Sequence, residues 1–135
     1  MIAAQKFITV DIPMSLVDLV HSYNTSCPSM CKYEYKRDFN YILSSAILME
    51  ILLKRILFKV NGRYAGKHKL EALRDSLDSK IKLRPFSKKE QKFLELDHSL
   101  VRYDYESFLD YEIKESVVDG LFEYFLEIAV EQGVK

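Results

Sequence analysis

The stretch from Asp38 to Val60, DFNYILSSAILMEILLKRILFKV, decides how this chain folds. Ile42, Ala46, Met49, Leu53, Ile56 and Val60 recur at helical spacing and define one face. Tyr41, Leu48, Leu52 and Phe58 carry the apolar surface well around the cylinder. A helix this apolar has to be surrounded by other helices or covered by a partner chain. Glu50, Lys54, Arg55 and Lys59 fall in its second half, which argues against a membrane span.

Outward from this helix the pattern stays helical. It starts as early as Tyr33 and stops at Asn61-Gly62. After a turn through Arg63–Lys67, residues Leu70, Leu73, Leu77 and Ile81 predict an amphipathic helix over 67–80. Pro85 breaks the chain, and Ser87-Lys-Lys-Glu90 has the pattern of a capping box opening the next helix. The core side of that helix uses Phe93, Leu94, Leu96, Leu100 and Val101. Asp110 or Ser107 is expected to cap a last helix, which carries Ile113, Val117, Leu121, Tyr124, Phe125 and Ile128 to a stop at Gly133.

Towards the N-terminus the signals weaken. Residues 1–12 read as a short strand or an extended arm, and Pro13 suits the first turn of a short helix reaching about Tyr23. NTSCPSM is a loop by composition. The expected architecture is all-α: an antiparallel up-and-down bundle of four to five helices, with an arm and short helix over 1–32 and the bundle over 33–135. At 135 residues this is a single domain.

Composition agrees with this reading and limits the function. The chain is 48% hydrophobic and 30% charged, with four Gly and three Pro, which suits a helical globular domain. Its net charge of zero hides a strong polarity. Residues 54–92 hold 13 Lys/Arg against four Asp/Glu, and residues 93–135 hold three against 11. The two halves either neutralise each other, within the fold or between subunits, or leave the basic part for a polyanion.

Cys27 and Cys31 are the only cysteines, spaced C-x3-C with His21 upstream. The spacing gives no disulfide framework and only a fragment of a metal site, so free thiols in a reducing cytoplasm are expected. The opening MIAAQKFITV lacks the pattern of a signal peptide. No glycine-rich phosphate loop, H-E-x-x-H, G-x-S-x-G or paired C-x-x-C occurs, which removes most familiar enzyme classes; neither a metal nor a cofactor is expected.

Three sets of residues remain as candidates for chemistry. Glu50 and Lys54 stand in the favourable order for an i,i+4 ion pair, on a surface or facing a cleft between helices. His98 and Arg102 share the same spacing. An imidazole that moves a proton and a guanidinium that stabilises phosphate charge could together cleave RNA without metal. Tyr33, Tyr35, Tyr103 and Tyr105 alternate with charges, either as stacking surfaces for bases or as covers for the bundle ends.

Three pieces in order resemble the HEPN family of helical domains, many of which accompany nucleotidyltransferases. SSAILMEILLKRIL resembles its A-x3-E-x2-LK signature at Ala46, Glu50, Leu53 and Lys54. GKHKLEAL is similar to its G-x-H-x-L-x2-L turn and helix at Gly66, His68, Leu70 and Leu73, and FLELDHSLVRYDYE to L-x2-LD-x4-RY at Leu94, Asp97, Arg102 and Tyr103. The resemblance spans roughly Arg37 to Val130 and implies a helical bundle, commonly a homodimer.

Ribonuclease members use R-x4-6-H, whereas no histidine follows Arg102 within that span, and Asp104 stands where Pro is frequent. The resemblance therefore implies the Arg-Tyr branch, non-catalytic, binding a nucleotide or nucleic acid or assisting a nucleotidyltransferase in a toxin–antitoxin or defence setting. Glu50, Lys54, Arg102 and Tyr103 would line the ligand cleft, with His68 and Asp97 structural. The alternatives are a metal-independent ribonuclease toxin using Arg102 with a displaced His98, and a dimeric interaction module without a small ligand.

Overall fold

The computed structural model describes residues 15–25, 34–63, 66–96 and 114–135, with side chains described from 15–23 and from 42 onward within these ranges. Among the described residues the fold is all-α, with five helices and no strand. They are α1 (Leu16–Thr25), α2 (Glu34–Asn61), α3 (Leu70–Asp78), α4 (Lys88–Leu94) and α5 (Glu115–Glu131).

The long helix α2 is the centre. Its 28 residues span roughly 42 Å, and it packs against α1, α3 and α5. Ile42, Ala46, Met49, Leu52, Leu53, Ile56 and Leu57 are all buried, so the apolar surface of α2 is covered largely by its own chain. Each such side chain contributes about 1.5–3 kcal/mol when fully removed from water. The width of the apolar surface is thus explained by neighbours on several sides. Phe58 departs from the expectation: it is 40% exposed, because its neighbour Leu57 takes the inward position.

Helix ends follow local chemistry. Ser15 caps α1, its Oγ accepting from the Asp18 N–H at 3.1 Å and its carbonyl accepting from the Leu19 N–H at 2.9 Å. The helix therefore starts later than a first turn at Pro13 would place it. α2 stops where expected, with Gly62 at φ 79° and its N–H donating to the Phe58 carbonyl at 2.7 Å. α3 is shorter than the expected 67–80, since Lys69 is extended (φ −73°, ψ 134°) and the chain leaves the helix at Ser79. Leu70, Leu73 and Leu77 are its buried face, and Ile81 lies half-buried beyond its end. The capping box at Ser87 and Glu90 forms as expected.

The last helix corrects the expected cap. Lys114 (φ −77°, ψ 139°) is the N-cap of α5 and makes no side-chain capping bond, so the described helix starts later than expected; Asp110 and Ser107 lie outside the described residues. The inward residues are Val118, Leu121, Phe122, Phe125, Ile128 and Ala129, while Val117 and Tyr124 are only half-buried. Its end is a Schellman turn: Gly133 at φ 78° donates to Val130 at 3.0 Å, and Val134 donates to Ala129 at 2.9 Å.

Two contacts orient α1 against α5. The Leu16 N–H donates to the Lys135 main-chain oxygen at 3.1 Å, and Arg55 donates to the same oxygen at 3.0 Å. At the other end of α1, Tyr23 stacks on Phe122 at 4.0 Å and donates to Asp119 at 2.5 Å. The start of α1 thus meets the end of α5 and the reverse, an antiparallel pair. Leu19 joins the common core, which ties the N-terminal helix to the bundle. No described helix is long and apolar enough to cross a membrane. The expected arm over 1–12, Pro13, Ile113 and the core positions Leu100 and Val101 lie outside the described residues.

Candidate functional site

Helical spacing brings Glu50 and Lys54 together one turn apart on α2, with Lys54 Nζ 2.8 Å from Glu50 Oε2. The turn at Gly62 then sends the chain back along α2. His68, just ahead of α3, places Nδ1 2.9 Å from the same Glu50 Oε2 and 3.0 Å from Lys54 Nζ. An ammonium, an imidazole and a carboxylate meet at one oxygen. Glu50 and Lys54 are largely covered, at 15% and 21% exposure, whereas His68 is 69% exposed.

The triangle restricts the imidazole to two arrangements. With a proton on Nδ1 the ring donates to Glu50, and Lys54 reaches the same carboxylate independently. With Nδ1 bare, Lys54 donates to the ring, and the ring lone pair faces the carboxylate at 2.9 Å, which is repulsive. The first arrangement points both donors at the carboxylate, which offsets the closeness of the ring N–H to the ammonium at 3.0 Å. It leaves Nε2, which makes no hydrogen bond among the described residues, as an acceptor when the ring is neutral and a donor when it is charged. What meets the solvent is therefore a ring held from behind by a carboxylate, with a cation beside it.

Of the residues expected in the cleft, the structure brings Glu50 and Lys54 together, and it sets His68, expected as structural, against both. Arg102, Tyr103, Asp97 and His98 lie outside the described residues, as do Cys27, Cys31, Tyr33 and Tyr105. His21 is exposed on α1, and among the described residues no group of three or more His, Cys, Asp or Glu side chains is placed to hold a metal ion.

A second polar cluster, at the corner of α3, α4 and α5, was not foreseen. Arg84 makes a bidentate pair with Glu90 at 3.0 and 2.8 Å. Its guanidinium lies 4.5 Å from the Tyr124 ring centre and 5.1 Å from that of Phe86, and the Arg84 main-chain N–H donates to Tyr124 Oη at 2.9 Å. Arg74 approaches Phe86 at 5.3 Å and donates to Gln91 at 2.8 Å, and Gln91 donates in turn to Glu71 and Glu95. The Glu90 carboxyl is held below its ordinary value by the Arg84 hydrogen bonds, with a further push from the Ser87 N–H, against a smaller opposing effect of burial. Arg84 is correspondingly raised by Glu90. Beside this cluster lies an open depression of about 510 Å³, lined by Arg74, Phe86, Lys88 and Lys92 among others. The capping box was the only sequence signal for this corner.

Fold and site together define an all-α domain with a polar triad at the edge of its central helix. Comparison of the chain with models of known protein families, with curated proteins and with solved structures finds no match.

Proposed function

We propose that this chain is a HEPN-like helical bundle of the cytoplasm, non-catalytic, that binds a nucleotide or nucleic acid or works beside a nucleotidyltransferase in a toxin–antitoxin or defence setting. Arg102 would contact phosphate, Glu50 would orient it, and Lys54 and Tyr103 would line the same cleft. One observation supports this reading above the others. Glu50 and Lys54 come from the first segment that resembles the family and His68 from the second, 18 and 14 positions away, yet all three converge within 3.0 Å. Residues so arranged offer a cation and an exposed, oriented ring, the groups that recognise phosphate and base edges.

The test is incubation of the purified protein with labelled tRNA and mixed RNA in EDTA, beside Arg102→Ala and Glu50→Ala, with retention of RNA and thermal shift with nucleotides read on the same samples. Intact RNA, with binding lost in both variants, is the expected result. Binding unchanged in both variants sinks the site assignment. Cleavage abolished by Arg102→Ala makes the chain a ribonuclease and turns attention to His98.

A further inference from the structure

The depression beside the corner is a cavity that the proposed ligand cleft does not use, since none of Glu50, Lys54 or His68 lines it. At about 510 Å³ it has the size of a small-molecule site. Two elements build it. Lys88, Gln91, Lys92 and Glu95 are spaced i, i+3, i+4 and i+7, so α4 and its C-cap present them on one face. Arg74 of α3 and the Phe86 ring supply the rest, with the guanidinium 5.3 Å from the ring centre.

The lining side chains are held to different degrees. Arg74 is only 12% exposed. Its Nη1 donates to Gln91 at 2.8 Å and its Nε to Asp75 at 2.7 Å. Its Nη2 makes no hydrogen bond among the described residues and stands 3.8 Å from Glu71, beyond hydrogen-bond reach. A largely covered guanidinium is thus fixed in place with donors still unspent. Lys88 is exposed and makes no ion pair among the described residues, and Lys92 is exposed one turn further on. Of the charged groups that line the depression three are cations and one, Glu95, is an anion, while Glu71 and Asp75 answer Arg74 without lining it.

We infer that this depression is a binding site for a small polycarboxylate. Two features select that class. The cations are spread: the Cβ atoms of Lys88 and Lys92 stand about 5–6 Å apart, and Arg74 comes from the other element. Separate carboxylates on one carbon skeleton match that spread better than a single compact oxyanion. The half-buried Phe86 ring gives the skeleton an apolar wall, which an inorganic ion has no surface to use. Arg74 fixes the orientation, because a planar guanidinium takes a carboxylate in a set geometry, whereas the lysines act as mobile point charges. Glu95 sets the polarity, so the carboxylates lie towards Lys88 and Arg74. The rim lysines stand outside the polar network of the corner, and that network costs the ligand little ordering because it holds Arg74 and Gln91 beforehand.

The experiment is an NMR titration of the full chain with citrate at constant ionic strength, beside acetate and inorganic phosphate. Citrate is expected to bind saturably, with a dissociation constant below about 1 mM and shifts centred on the Arg74 side chain and the amides of residues 86–95; acetate and phosphate should bind roughly tenfold more weakly or less. Lys88→Ala with Lys92→Ala should weaken citrate about tenfold. Both lysines are exposed on a helix, where alanine is favoured, so the variant is expected to fold, which circular dichroism checks. Glu95→Gln should tighten citrate binding. Shifts that do not saturate or that centre elsewhere overturn the inference, as does citrate binding unchanged in the lysine variant. Phosphate binding as tightly as citrate overturns the choice of ligand class. RNA or nucleotide retained by wild type and lost in the lysine variant would assign these lysines to phosphate and overturn it too. Retention unchanged in that variant is expected, and the proposed function stands or falls separately on Arg102→Ala and Glu50→Ala.

Discussion

The two polar clusters use the same kinds of side chain to opposite ends. At the α3–α4–α5 corner each strong group is answered: Arg84 by Glu90 and two rings, Glu90 by Arg84 and Ser87, Gln91 by two carboxylates and an arginine. At the α2 edge two donors crowd one oxygen of Glu50, and one nitrogen of His68 has no hydrogen bond among the described residues, on an exposed ring. A closed network fixes the positions of its elements. An open one keeps hydrogen-bonding capacity for something else. The difference predicts that substitutions at the corner register in stability, and those at the edge in binding.

The largest effect should come from the apolar anchor beneath the corner. Phe93 is fully buried and holds α4 to the core. Phe93→Ala should cost about 3–5 kcal/mol in urea unfolding, since it removes the ring and leaves a cavity that the neighbours fill only in part. A loss under about 1 kcal/mol would mean that the corner is held by its polar network and not by the core.

Arg84→Met tests the network itself. The guanidinium is 38% exposed, so water screens its pairing, and a loss of about 1 kcal/mol near neutral pH is expected from the bidentate pair and the ring contacts together. The pH dependence has a definite sign. Glu90 has a lowered value in the folded chain, so its contribution is full above the ordinary 4.5 and is lost as pH falls through the lowered value. The stability gap between wild type and Arg84→Met should therefore narrow on acidification below that range. A gap independent of pH would assign the effect to the rings rather than to the carboxylate.

Ser87→Ala comes next. It removes an N-cap that accepts from the Glu90 N–H at 3.1 Å, and about 0.5–2 kcal/mol is expected, measured by the same unfolding titration. Ser87→Asp should restore most of it, because an aspartate caps as well. Without that recovery, the serine acts through something other than its cap.

These contrasts also show which features the chain announces locally. The extent of α2, the Leu70–Leu73–Leu77 face and the Ser87–Glu90 cap were legible because period and capping act over a few residues. The start of α5 was not, since Lys114 is merely extended and offers no capping side chain to recognise. Leu57 and Phe122 were missed for a different reason. Helices touched on several sides bury residues beyond any single stripe, so periodicity ranks their positions poorly. Arg84 and Tyr124 lie 40 positions apart, and no local pattern joins them. At the edge, the Glu50–Lys54 pair followed from spacing alone, but the place of His68 depends on how the chain returns after Gly62. The resemblance marked that histidine as structural, and its exposure argues for a further role.

His68→Ala is the sharpest use of the comparison because its expected effect on stability is the smallest. The ring is 69% exposed and its polar partners among the described residues are Glu50 and Lys54, which are themselves paired at 2.8 Å. Loss of an exposed contact of this kind should change unfolding free energy by no more than about 0.5 kcal/mol. If the edge is an open network kept for a ligand, the same substitution should weaken nucleotide or RNA retention severalfold while the unfolding curve stays in place. His68→Gln, which keeps a polar group near Glu50 in place of the ring, separates simple positioning from a need for the imidazole by its retention. A stability loss as large as that of Arg84→Met, with retention unchanged, would make the edge a second closed corner and remove the distinction between the two clusters.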